Sequence, residues 1–302
     1  MRIIFAGTPE IAAVALELLS EQHDIALVIT RPDAEIGRKR ILTPSPVAQM
    51  AAELGLATLK AKRIGASELE QIKTANVELA LVIAFGSLIP QPALDALPWW
   101  NIHFSLLPLW RGASPLQQSI LSGGVGAGVT LFQLDAGMDT GPILAQLPIE
   151  LGPNETTAEA LPRFTASGVS LFNQYLATPT TPLAQQGAPS HAPKLDRHSA
   201  RLNLGLNAIE VHRAVMAFNP EPMAWCEQDG FAIRIVESRE LDSGSNAPRN
   251  QQPGRVSKSE GRILLECGSG SQLELTKVQP SGKQVMAAAD WFRGLDGEVQ
   301  LA

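Results

Sequence analysis

Short apolar runs separated by stretches of helical period constrain this chain most. Residues 2–6 (RIIFA) and Ile25–Thr30 are too short to be buried helices and read as strands. Between them, apolar residues recur at helical spacing from Pro9 to about Leu19. Pro9 suits a first helical turn, where a missing N–H costs nothing. Leu79–Phe85 (LALVIAF), seven apolar residues closed by Gly86, is the strongest strand signal. Ser45-Pro46 opens another helix, and Asn101-Ile-His103 ends a further extended run. Continuous apolar strands must be covered on both faces, so strands alternating with helices predict a parallel sheet between helix layers. Gly128–Asp135 and Ile143–Leu151 read as two further strands. Only the turn-rich AGMDTGP separates them, so they are expected as an antiparallel addition. Pro162 falls inside the helix expected after Asn154 and is expected to bend or shorten it.

The pattern changes after about residue 177. Thr178–Pro193 is rich in Thr, Pro, Ala, Gln and Ser and reads as connecting chain. A helix is expected from Ala208 to about Phe218. Short strand-like runs follow near Met223–Cys226, Phe231–Glu237, Arg262–Glu266 and Gln272–Val278, punctuated by Gly, Ser, Asn and Pro. That is the pattern of a small β-barrel or sandwich. The expected layout is a first domain over residues 1–177, a linker over 178–204 and a second domain over 205–302. A chain of 302 residues with 45% apolar content can build two such cores.

The formal net charge of −6 excludes a globally basic nucleic-acid coat, though not a local basic loop. The Arg31–Thr43 segment is such a loop, with Arg38, Lys39 and Arg40 adjacent. Residues 205–302 carry more Asp and Glu than Lys and Arg. The two cysteines, Cys226 and Cys267, lack CxxC spacing, so reduced thiols are expected and neither a zinc site nor a disulfide scaffold. The first residues lack a signal-peptide pattern, and no run of about 18 apolar residues offers a membrane span. A soluble cytoplasmic protein, a monomer without a metal, is expected.

In an open α/β sheet, ligands sit beyond the carboxyl ends of the strands. The first such end, AGTPE, lacks the second and third glycines of GxGxxG, so a dinucleotide site is poorly supported. The second is WNIHFSLLP. Asn101 and His103 are two apart, so on a strand they share a face. An amide and an imidazole there can donate to, and exchange protons with, one reacting oxygen. Two satisfied residues closing a strand would look the same. The third end, DAGMDTG, places Asp135 and Asp139 in one turn. Either carboxylate beside an imidazole would favour its protonated form, and either could equally serve an Asx turn. The residues alone do not choose between them.

The order N-x-H-x-SLLP followed by D-x-G-x-D-T-G resembles the folate-dependent formyltransferase family. The resemblance is closest to the branch acting on charged tRNA. It rests on AGTPE, RPD…GRKR…PSPV at Arg31–Val47, VIAFGSLIP at Val82–Pro90, and NIH-SLLP-WRGASP at Asn101–Pro115. DAGMDTG at Asp135–Gly141, AFNPEPMAW at Ala217–Trp225 and QPSGKQVM at Gln279–Met286 complete the set. These stretches span nearly the whole chain. Phe104 departs from the pattern, standing where a small residue or proline is usual.

The resemblance implies a Rossmann-like parallel-sheet formyltransferase domain followed by an OB-like β-barrel. It implies 10-formyltetrahydrofolate as formyl donor and initiator methionyl-tRNA as acceptor, with the barrel helping to hold the tRNA. Asn101, His103 and Asp139 carry over as catalytic residues. Ser105, Leu106, Leu107, Pro108, Phe85, Gly86 and Asp135 carry over as folate contacts. Arg38, Lys39 and Arg40 carry over as contacts to tRNA phosphates. The rivals are a formyltransferase of an amino-sugar nucleotide, a 10-formyltetrahydrofolate hydrolase, and a non-catalytic nucleic-acid-binding protein. The last needs no Asn-His-Asp set and would carry a basic barrel.

Overall fold

A computed structural model describes residues 1–37, 39–241, 252–295, 297 and 299–302. The chain forms two compact units. The first comprises Met1–Pro115, Gly126–Glu150 and Leu161–Pro193; the second comprises Leu116–Val125, Leu151–Ala160 and Lys194–Ala302.

The strands of the first unit's main sheet are β1 (Arg2–Gly7), β2 (Asp24–Thr30), β5 (Thr58–Lys60), β6 (Leu79–Ile83), β7 (Trp99–His103), β9 (Gly128–Gln133) and β10 (Ile143–Pro148). Their spatial order is β10-β9-β7-β6-β1-β2-β5. The five strands from β7 to β5 pair in parallel, whereas β9 and β10 add on antiparallel as expected. β1 and β6 are apolar and inaccessible over almost their full length, because helices cover both faces. Those helices include α1 (Glu10–Ser20), α2 (Pro46–Glu53), α3 (Ala66–Thr74) and α4 (Gln91–Leu94). Ser45 caps α2 by accepting from the Ala48 N–H, and Pro46 occupies its first turn, as the Ser-Pro signal suggested.

Three local readings differ. β6 stops at Ile83 rather than Phe85, because Ala84 turns to a positive φ of 49° and directs the chain out of the sheet. Within the basic loop, β3 (Ala34–Ile36) and β4 (Ile41–Thr43) form an exposed antiparallel hairpin. Its two strands are too short for period-2 alternation to show. After α5 (Pro115–Leu121), Pro162 lies inside α6 (Thr157–Ala177), which runs on for 21 residues without shortening. Pro162 sits near the N-terminus, where few intrahelical N–H bonds have yet begun, so it removes only one. Gly168 of α6 lets Ile102 approach closely, since a β-carbon there would lie 2.6 Å from Ile102 Cγ2.

Residues 178–193, expected as connecting chain, lie along the first unit. Leu183 exchanges two backbone hydrogen bonds with Ile143, and β11 (His191–Ala192) pairs in parallel with β8 (Arg111–Gly112). Their composition suggested a linker, but these hydrogen bonds are long-range and leave no local pattern.

In the second unit, α7 (Ala208–Phe218) begins with a reciprocal capping box. Asn207 accepts from the Glu210 N–H, and the Glu210 carboxylate accepts from the Asn207 N–H. Its buried face, Val211, Val215, Met216 and Phe218 among others, packs on β13 (Phe231–Glu240) and β16 (Gln272–Pro280). With β12 (Trp225–Gln228), β14 (Arg255–Ser259), β15 (Arg262–Glu266) and β18 (Val299–Gln300), these strands form an antiparallel sheet ordered β12-β13-β16-β15-β14-β18. Beyond β18, Ala302 exchanges two backbone hydrogen bonds of 2.7 and 2.9 Å with Glu227 of β12. The sheet's two edges therefore meet, and the barrel is closed in the OB-like manner expected. The short β17 (Met286–Ala287) pairs with β16, and α8 (Ala288–Arg293) follows it. Cys226 and Cys267 are buried free thiols whose pKa values burial pushes up to about 12. Both stay protonated and inert.

Candidate active site

The carboxyl ends of β1, β6 and β7 lie side by side, Gly7 opposite Ile83 and Val82 opposite Asn101. Side chains alternate along β7. Trp100 and Ile102 face α6, with Trp100 edge-on to Phe172 and Tyr175. Asn101 and His103 therefore share the opposite face, as their spacing predicted.

His103 is buried, with 5% of its surface exposed. Its Nε2 lies 2.9 Å from the Trp110 carbonyl. A carbonyl can only accept, so Nε2 carries the proton and the neutral ring keeps its lone pair on Nδ1. Nδ1 faces Asp139, whose Oδ2 is 3.8 Å away. Burial lowers the His103 pKa below its ordinary value, and the Asp139 charge and the Trp110 carbonyl oppose that shift in part. The resting imidazole is thus neutral, with a proton-accepting atom directed at a carboxylate.

Asp139 stands at φ 55°, a left-handed position unusual for a residue other than glycine. Its Oδ2 accepts from the Gly112 N–H at 2.8 Å. Asp135, the other candidate, is exposed and accepts from the Gly137 N–H at 3.0 Å and the Thr140 hydroxyl at 2.6 Å. It builds the turn that presents Asp139. The geometry thus separates two carboxylates that sequence chemistry had left equivalent. Asn101 is half-buried, and its Oδ1 is inaccessible and without a hydrogen-bond partner. An uncommitted carboxamide at the end of β7 suits a ligand's polar group.

The Ser105–Pro108 turn is held internally. Thr130 donates to the Ser105 carbonyl (2.6 Å) and accepts from the Leu107 N–H (3.0 Å) and from Gln146 (2.9 Å). The Leu107 carbonyl accepts from Gln146, Leu106 N–H donates to Gly126, and Pro108 carbonyl accepts from Ser190 N–H. The Ser105 hydroxyl donates to the Leu109 carbonyl. With its backbone groups engaged, this turn offers a ligand an apolar wall, chiefly half-buried Leu106 and Pro108. Phe104 is buried, so the departure noted in sequence is absorbed by the core. The Phe85 side chain is likewise buried in the core packed against β6, and its carbonyl accepts from Thr8. Gly86, at φ 76°, is exposed, and its carbonyl accepts from Arg31. Lys39 and Arg40 are exposed near the tip of the β3–β4 hairpin, where Arg40 pairs with Glu35 at 2.6 Å. Arg38 lies outside the described residues.

Sequence reasoning missed Thr130, Gln146 and Gln185, which act through hydrogen bonds to backbone and leave no motif of their own. Gly112 lies within WRGASP, but nothing local shows that its N–H meets the Asp139 carboxylate. Among the described residues, no group of three His, Cys, Asp or Glu is placed to hold a metal ion.

A parallel sheet ending in this Asn-His-Asp cluster, joined to a closed barrel, defines a class. Residues 1–176 match the formyl transferase family model, and residues 194–296 match the formyl transferase C-terminal domain. The chain is 41% identical to the methionyl-tRNA formyltransferase of Arthrobacter sp. (strain FB24), covering 99% of each chain. It belongs to the methionyl-tRNA formyltransferase family. The same fold occurs in a methionyl-tRNA formyltransferase from Clostridium thermocellum, with TM-score 0.61 and 17% identity over 93% of this chain and 98% of that one. It also occurs in WlaRD, a sugar 3N-formyl transferase crystallised with dTDP and 5-N-formyl-THF, with TM-score 0.65 and 20% identity over 94% and 99%.

Proposed function

We propose that this chain transfers the formyl group of 10-formyltetrahydrofolate to the free amine of methionyl-tRNA, producing formylmethionyl initiator tRNA in the cytoplasm. The observation that carries the chemistry is Asp139 facing His103 Nδ1 at the end of the strand that bears Asn101. The relative from Arthrobacter, similar over its full length, supports this acceptor over an amino sugar.

The donor fits the residues present. Asn101 is half-buried at the end of β7, where its Nδ2 is the donor a formyl oxygen needs, and the Leu106–Pro108 wall is apolar. When bound, the donor supplies a formyl carbon on a nitrogen leaving group. Asn101 donates to the formyl oxygen as negative charge develops there. Nδ1 of neutral His103 takes the proton that the amine releases as its nitrogen bonds to the formyl carbon. The Asp139 carboxylate stabilises the imidazolium so formed. His103 returns the proton to N10 of the folate as the N10–carbon bond breaks. Lys39 and Arg40 of the basic hairpin, with Arg38 beside them in sequence, meet the phosphates of the tRNA.

The test is tetrahydrofolate release measured with 10-formyltetrahydrofolate plus methionyl-tRNA, plus an amino-sugar nucleotide, or alone. Release is expected only with methionyl-tRNA. Release without acceptor would identify a hydrolase, and release with the sugar alone would overturn the tRNA assignment.

A further inference from the structure

Gln185 lies in the segment that composition marks as connecting chain, yet its carboxamide is fully engaged at the site. Its Oε1 accepts from Arg111 Nε at 3.1 Å and Nη2 at 2.7 Å. Its Nε2 donates to the carbonyls of Asp139 and Gly141, both at 2.8 Å. One side chain thus ties the residue beside Gly112 to the backbone of the loop bearing Asp139. Gly112 is also the donor to the Asp139 carboxylate. The segment itself is anchored on both sides of Gln185. Upstream, Leu183 is bonded to Ile143; downstream, the Ser190 hydroxyl accepts from the Trp110 N–H, and β11 pairs with β8.

Asp139 needs such support. A non-glycine residue at φ 55° is unfavourable by itself and persists where neighbours over-determine it. Its carboxylate is 3.8 Å from Nδ1, so displacement by an ångström changes the interaction materially.

We propose that Gln185 is a positioning residue for the reaction: it holds the Asp139 loop in register with His103 by donating to the Asp139 and Gly141 carbonyls while its oxygen is fixed by Arg111. This rests on the formyl transfer proposed above. Gln185 bonds Arg111 and the Asp139 and Gly141 carbonyls, not the Asp139 carboxylate, His103 or Asn101, and it acts through where Asp139 sits.

Two variants separate this role from general scaffolding. Gln185→Ala removes both halves of the bridge. Gln185→Glu keeps and strengthens the acceptor for Arg111, but presents oxygen where the two carbonyls need a donor. Kinetics are measured on the full-length chain, varying each substrate with the other saturating, and across pH, alongside thermal unfolding. Both variants are expected to lower kcat about 10–100-fold with KM for folate and for methionyl-tRNA within about twofold, and to displace the pH profile of kcat. A Gln185→Glu enzyme with wild-type kcat and pH profile would overturn the proposal. So would a raised KM at unchanged kcat in either variant.

The titration of the His103 imidazole, followed by NMR in the wild type and both variants, needs no acceptor. It is expected to shift downward in the variants as Asp139 moves off. An unchanged His103 titration in folded Gln185→Glu protein sinks the positioning role even if the acceptor proves to be another amine. A wild type inactive on methionyl-tRNA that still shows the shift would refute the acceptor and leave the positioning intact.

Discussion

Asp139 Oδ2 faces His103 Nδ1 across 3.8 Å, while the other imidazole nitrogen is fixed 2.9 Å from the Trp110 carbonyl. The first contact is electrostatic and the second a hydrogen bond, so the ring is oriented by backbone and tuned by a carboxylate.

Asp139→Asn should therefore separate charge from geometry. An asparagine oxygen can still accept from the Gly112 N–H, so the loop is expected to hold. The charge that raises the His103 pKa is lost. Turnover is expected to fall by ~10²–10⁴ with little change in thermal stability. Near-normal kcat in this variant would remove Asp139 from the catalytic set.

The depressed His103 pKa also predicts how stability depends on pH. The unfolded chain takes up this proton near the ordinary value of 6.5, and the folded chain only at lower pH. The contribution is thus fully present above about 6.5 and is lost as pH falls from there through the folded value. Wild-type Tm is expected to drop between pH 7.5 and 5 by more than that of His103→Gln. The likewise depressed His212 contributes equally to both proteins and cancels in the comparison. Parallel Tm curves for the two proteins would contradict a buried neutral His103.

Thr130 is buried and satisfies three groups of the Ser105–Leu107 turn and its neighbour Gln146. Thr130→Val keeps the shape and strands those groups. Destabilisation of roughly 1–3 kcal/mol is expected by chemical denaturation, with a raised KM for the folate. A neutral variant would mean that the turn does not depend on this hydroxyl.

Gly112 combines φ 125° with a position where a β-carbon would run into the Ala192 carbonyl. Gly112→Ala should separate β8 from β11 and withdraw the N–H that Asp139 accepts. Loss of activity by at least 10²-fold, with a lowered Tm, is the expected outcome. An active, stable Gly112→Ala protein would show that this approach is not required.

The hairpin proposal predicts a salt effect. Lys39→Ala/Arg40→Ala is expected to weaken methionyl-tRNA binding and to reduce the slope of log K against log salt by up to about 2. Arg40 leaves behind only an exposed ion pair with Glu35, so stability should be nearly unchanged. An identical slope would remove these two cations from the interface.

Much of this molecule follows from its sequence. The apolar runs 2–6, Ile25–Thr30 and Leu79–Phe85 had to be covered on both faces, which dictates a parallel sheet between helices. The spacing of Asn101 and His103 put them on one face of β7, because period-2 geometry is local. Ser45-Pro46 announced its helix by capping chemistry, which is also local. What required the folded chain is whatever depends on contacts distant in sequence. The choice of Asp139 over Asp135 by geometry turns on which carboxylate the 135–141 turn aims at His103 and which it consumes in its own hydrogen bonds. The closure of the barrel turns on Glu227 meeting Ala302. Residues 178–193 have the composition of free connecting chain, yet they pin Arg111, Trp110 and the Asp139 loop through Gln185 and Ser190. Composition reports how readily a segment bends. Only the tertiary structure decides which distant carbonyls and N–H groups are left for it to satisfy.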